Sequence, residues 1–113
     1  MKKEKKQLYE GMFILTSTLS DESRKKAWDK IINEITGRGG EIRKVFDQGR
    51  KKLSYAIQGK KEGYYFLLYF SAPTQVLTEL VKEYKLHEDL LRYMTVQADD
   101  VREDLNFPPI KLQ

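Results

Sequence analysis

Arg50, Lys51 and Lys52 stand side by side after Gly49, and Leu53, Tyr55 and Ile57 follow at alternate positions. A cation triplet of this kind can neutralise phosphates, and aromatic rings beside it can meet base or sugar faces. In an extended chain Arg50 and Lys52 share one face with Ser54, while Lys51 shares the other with Leu53 and Tyr55. The triplet also fits a plainer role, because lysine on an edge strand deters edge-to-edge pairing with other sheets. Taken alone, these residues suit both readings.

A second nucleic-acid signal lies at 62–69 (EGYYFLLY), close to the RRM pattern that reads single-stranded RNA. The match fails at Glu62, where a cation is expected, and at Tyr65, where a small residue is expected. Tyr64, Tyr65 and Tyr69 are candidates for base stacking, although alternate aromatics in a central strand more often form core. An RRM-like single-stranded RNA-binding module is therefore the alternative reading.

Catalytic chemistry finds little support. His87 is the only histidine, and beside Glu88 and Asp89 it reads as a solvated turn residue. The stretch Thr16-Ser17-Thr18-Leu19-Ser20 after the first apolar segment has no glycine or arginine with which to cradle an anion. GxxxxGK[ST], HExxH and GxSxG are all missing from the sequence. Asp99 and Asp100 fall in a tail, where nothing would desolvate them. The expectation is no enzyme, no cofactor, no metal and no small-molecule substrate.

The 113 residues fit one domain, and 40% hydrophobic with 12% aromatic content is enough for one core. With no cysteine, disulfides and zinc–thiolate sites are excluded. No apolar run is long enough to span a membrane, and MKKEKKQLYEG lacks the apolar region of a secretory signal, so a cytoplasmic protein is expected. Net charge is a modest +4, but its distribution is uneven: 50–61 (RKKLSYAIQGKK) holds five cations and no acid.

The elements that must position these residues can be read from periodicity. Leu8–Leu15 has the composition of a strand. Ser20 offers an N-cap, Asp21 and Glu22 suit the first helical turn, and Ala27, Trp28, Ile31, Ile32 and Ile35 make one helical face before Gly37, Gly39 and Gly40. From 41 to 57 the chain is extended, and Gly49 suggests a bulge or a change of face. Residues 58–63 (QGKKEG) read as a loop, 64–70 (YYFLLYF) as a central strand, 73–84 as a second helix opened by Pro73 and Thr74, and 90–96 as a last strand. This β-α-β-β-α-β order predicts an α+β, ferredoxin-like sandwich: a four-stranded antiparallel sheet with two helices on one face. The other face would be left without helices, a surface that small domains seldom leave apolar unless something binds it. The predicted domain covers 1–98, with 1–7 a basic extension and 99–113 a C-terminal tail.

From about Leu8 to Ala98 the chain resembles the bacterial small-subunit ribosomal protein six family. The resemblance is carried by Gly49-Arg50-Lys51-Lys52-Leu53-Ser54-Tyr55-Ala56-Ile57, by Tyr9-Glu10 near the start and by Arg92-Tyr93-Met94 near the end. It implies a structural role in the cytoplasmic small ribosomal subunit: binding small-subunit ribosomal RNA as a heterodimer with small-subunit ribosomal protein eighteen during assembly. By the match, Arg50, Lys51, Lys52 and Arg92 would be the nucleic-acid-binding cations, and Tyr55 a motif residue beside them. Three positions depart from the family pattern. Ala56 replaces the usual proline, Gln7 stands where an arginine is common, and Leu91 stands where many members have a second arginine. Lys2, Lys3, Lys5 and Lys6 are candidate substitutes for the arginine at position 7.

Overall fold

A computed structural model describes residues 6–101. The elements run β1 (Lys6–Thr16), α1 (Asp21–Gly37), β2 (Glu41–Ile57), β3 (Lys60–Pro73), α2 (Val76–Tyr84) and β4 (Leu90–Gln97). The strands form one antiparallel sheet in the order β2-β3-β1-β4. The apolar β1 and β3 therefore sit in the centre, and the charged β2 takes an edge. Both helices pack on the same face, where Trp28, Ile31 and Ile35 of α1 and Val76, Leu80 and Tyr84 of α2 meet Phe13, Phe66, Leu68 and Phe70. The predicted sandwich is the observed one.

Local sequence explains the boundaries. The Ser20 hydroxyl accepts a hydrogen bond from the Ser23 amide at 3.1 Å and so caps α1. The helix ends where Gly39 takes φ +88°, a conformation costly for any side chain. Pro73 belongs to the end of β3 rather than to α2, which starts at Val76. The expected loop at 58–63 shrinks to a two-residue turn: Gln58 and Gly59 have φ of +50° and +78°, Ile57 pairs with Lys60, and the lysine-rich stretch is already strand.

His87 departs from its sequence reading. Its side chain is nearly enclosed (4% exposed) and its Nε2 meets Glu34 Oε1 of α1, so it is a buried partner and not a solvated turn residue. The sheet face opposite the helices also departs from a wholly uncovered surface. Beyond β4 the chain turns over it: the Ala98 amide donates to Leu8 O at 3.0 Å, and Ala98 and Val101 pack against Met12, Leu67 and Tyr69. Lys2, Lys3 and Lys5, and the tail beyond Val101, lie outside the described residues. Lys6 and Gln7, expected in a basic extension, lie at the start of β1, and Lys6 pairs with Glu41 at 3.1 Å.

Candidate nucleic-acid interface

The cationic triplet lies in the outer half of β2, and a bulge decides which way it faces. Before the bulge Lys44 and Phe46 pair with Tyr69 and Leu67, on the face away from the helices. The register then slips between Asp47 and Gly49, with Gly49 at φ +75° and its amide held by Asp47 Oδ1 at 2.9 Å. One extra residue reverses the alternation. Gly49 and Lys51 now oppose Tyr65 and Gly63 on the open face, while Arg50 and Lys52 oppose Tyr64 and Glu62 on the helix side. For Arg50, Lys51 and Lys52 the alternation read from sequence holds, and the bulge selects Lys51 as the open-face cation.

On that face Lys51 Nζ donates to Gln48 Oε1 at 3.0 Å and lies 5.9 Å from the Tyr65 ring centroid. Between β2 and β4 runs a small apolar cluster of Ile14, Ile57, Tyr65 and Leu91, with Leu53 packed against it. It can close because Gly63 has no side chain: a Cβ there would meet Ile14 Cγ2 at 2.5 Å. Across the cluster Arg92, paired in register with Ile14, is exposed and donates from Nη1 to the Leu91 carbonyl at 3.1 Å. Leu91 is thus a buried member of the cluster, and a second arginine at 91 would need a different local packing. Further along β4, Met94 and Val96 remain about half exposed. The open face therefore carries Lys51 on one flank, Arg92 on the other, and an exposed apolar strip beside them.

The other sequence-derived candidates fall elsewhere. Arg50 Nε makes a 3.0 Å ion pair with Glu62, which draws it along the helix-side surface of β2. Lys52 lines a cavity at the end of the sheet. Tyr55 is 44% exposed, in the irregular stretch between the Lys52–Glu62 and Ile57–Lys60 pairs, and is not a core residue. Sequence reasoning did not single out Lys44, whose Nζ lies 5.2 Å from the Phe46 ring centroid on the open face, nor Lys60 and Lys61 individually. The acid-free run 50–61 was the signal for the latter two.

The three tyrosines of the RRM-like segment are occupied. Tyr64 faces the helices under the Arg24 guanidinium, 4.4 Å from its ring centroid. Tyr65 is buried, which pushes its phenol pKa up by desolvation. Tyr69 is fully enclosed and donates to Glu10 Oε2 at 2.7 Å. None presents an open ring for stacking. Among the described residues no group of histidine and acidic side chains is arranged to hold a metal ion, and no helix is long and apolar enough to cross a membrane.

Comparison with known proteins identifies the family. The family model described as ribosomal protein S6 matches residues 8–97. The chain belongs to the ribosomal protein S6 family. It is 57% identical over 107 residues to small ribosomal subunit protein bS6 of Chlamydia pneumoniae, covering 95% of this chain and 96% of that one. It is 49% identical over 106 residues to bS6 of Protochlamydia amoebophila, covering 94% and 93%. The crystal structure of 30S ribosomal protein S6 from Thermotoga maritima superposes with a TM-score of 0.79 at 32% identity, over 83% of this chain and 89% of that one. Family membership makes the chain a structural component of the small ribosomal subunit in the cytoplasm and not an enzyme.

Proposed function

We propose that the protein binds small-subunit ribosomal RNA together with ribosomal protein eighteen during assembly of the small subunit. The observation that carries this reading is the make-up of the helix-free face: an apolar strip at Met94 and Val96 lies beside the exposed cation Arg92, with Lys51 across the sheet. An apolar strip suits a protein partner, and flanking cations suit phosphates at the partner's rim. Arg50, Lys52 and Tyr55, on the other side or at the end of the same strand, extend the basic surface around the sheet edge. Arg50 can exchange Glu62 for a phosphate at small cost, since exposed ion pairs contribute little.

The net charge of +4 is small, so the isolated protein is expected to bind RNA weakly and the heterodimer tightly. Filter binding to a protein-free small-subunit rRNA fragment, with and without ribosomal protein eighteen, measures the difference. Co-sedimentation of a tagged copy with small subunits, retained through a high-salt wash, is expected alongside it. Tight binding by the protein alone at physiological salt would overturn the partner requirement, and absence from the subunit peak would overturn the reading as a whole.

A further inference from the structure

Between Lys52–Glu62 and Ile57–Lys60 the β2–β3 register slips, so that five steps along β2 are matched by two along β3. The surplus chain bows outward and opens a cavity of about 700 Å³ at the end of the sheet. Its volume falls within the roughly 300–1,000 Å³ typical of ligand sites. Lys52, Lys60 and Lys61 line it, with Ser17 from the turn after β1, and Leu53 and Ala56 supply apolar wall. Gly59 leaves the backbone open at the mouth, since a Cβ placed there would meet nothing within 4 Å.

The charge of this cavity is one-sided. Among the described residues Glu62 is its single acid, and Arg50 already neutralises it at 3.0 Å. Among the described residues neither Lys52, Lys60 nor Lys61 forms an ion pair. Three lysines thus line one concavity without an ion-pair partner among the described residues. We propose that this cavity is a second RNA contact, which receives consecutive backbone phosphates on Lys52, Lys60 and Lys61 while Leu53 and Ala56 face a sugar. A nucleic-acid strand suits it better than an acidic protein surface. It carries a charge on every nucleotide of a continuous strand, so cations spread over Lys52, Lys60 and Lys61 are met without folding a partner around them. Lysine acts here as a point charge and tolerates variation in phosphate position. The proposal rests on the RNA-binding reading above and adds a site at the sheet's end, apart from Lys51 and Arg92.

Two measurements test it. In salt titrations of heterodimer binding to protein-free small-subunit rRNA, the triple variant Lys52→Gln, Lys60→Gln, Lys61→Gln is expected to flatten the log–log slope by about 2–3, from roughly 0.7–0.9 per lost phosphate contact. The charge-matched variant Lys25→Gln, Lys26→Gln, Lys30→Gln, on the outer face of α1, is expected to change it by less than about 1. Equal slopes in the two variants would reduce the cavity to general charge and overturn the proposal. An unchanged slope in the first, with normal wild-type binding, would overturn it while leaving the RNA-binding reading intact; loss of wild-type binding would sink both. Amine acylation of intact small subunits supplies the second measurement, on the unmodified protein. Lys60 and Lys61 are expected to be protected relative to the free protein and to react again after nuclease treatment. Protection that survives the nuclease would assign the cavity to a protein partner and refute the RNA contact.

Discussion

On the helix-covered face of the sheet, Phe13, Phe66, Leu68 and Phe70 join Trp28, Ile31, Ile35 and Leu80 in one continuous cluster. On the opposite face the buried residues split into two small groups, Met12 with Leu67 and Tyr69, and Ile14 with Ile57, Tyr65 and Leu91. Adjacent residues of one strand, Leu67 and Leu68, serve these two different environments. The covered face stacks aromatic rings, such as Trp28 on Phe66 at 4.4 Å, and has helices closing over it. The other is roofed only in part, by Ala98 and Val101, and keeps Met94 and Val96 half exposed. The first face holds the fold together; the second leaves apolar area over for binding.

Truncating the two leucines breaks this comparison open and carries the largest expected effect. Leu68→Ala empties a fully enclosed position between strand and helices, and is expected to cost about 3–5 kcal/mol because rigid neighbours cannot collapse into the gap. That is a large part of the roughly 5–15 kcal/mol available to a domain. Leu67→Ala is expected to cost nearer 2 kcal/mol, since its cluster is small and its cover is a short segment free to settle inward. Urea denaturation midpoints with unchanged slopes would measure both. Equal losses would mean that the open face is as well packed as the covered one.

Alkaline titration sharpens the same contrast. Tyr84, on the covered face, has a buried hydroxyl with no hydrogen-bond partner among the described residues. Burial, and secondarily the Glu34 carboxylate, push its pKa well above 10.0. The folded state therefore keeps the phenol protonated at a pH where the unfolded chain ionises. Its stabilising contribution is complete below about pH 10 and drains away as pH rises beyond that. Tyr65 on the open face is raised by burial alone. Tyr84→Phe is expected to remove more of the stability loss between pH 9.5 and 11 than Tyr65→Phe. At pH 7 it should cost little, because it deletes an unpaired buried hydroxyl. Thermal melts across that range decide the order.

How much of this was legible in the sequence depends on the distance over which each feature is set. The helices, their caps and the doubly apolar β3 depend on neighbours a few residues away, and Ser20, the 27–35 stripe and 64–70 announced them. So did Gly49 as the site of the bulge. The two-residue turn was obscured because QGKKEG has a loop's composition, yet its lysines stand in a strand beside a pocket formed by surplus β2 chain. His87 looked solvated because its partner Glu34 is 53 residues away. Likewise, nothing in the spacing of Ala98 and Val101 indicates that they return to Met12 and Leu67. Of the candidate site, the cations were legible as residue types, but which of Lys51 and Arg50 reaches the helix-free face depends on the number of residues in one bulge.

The smallest expected change in stability falls on the residues most exposed to a partner. Replacing Met94 and Val96 together by threonine removes apolar surface while keeping a residue type that strands accept. Both side chains are about half exposed, so the folding cost should stay below about 1 kcal/mol in the same urea measurement. Capture of ribosomal protein eighteen by the variant is expected to weaken by at least tenfold, equivalent to about 1.4 kcal/mol. A variant that loses stability as Leu68→Ala does would instead assign these side chains to the core, with the chain itself covering them. Unchanged stability with unchanged capture would move the protein contact off β4. The docking assignment stands only if binding and folding separate at these two positions.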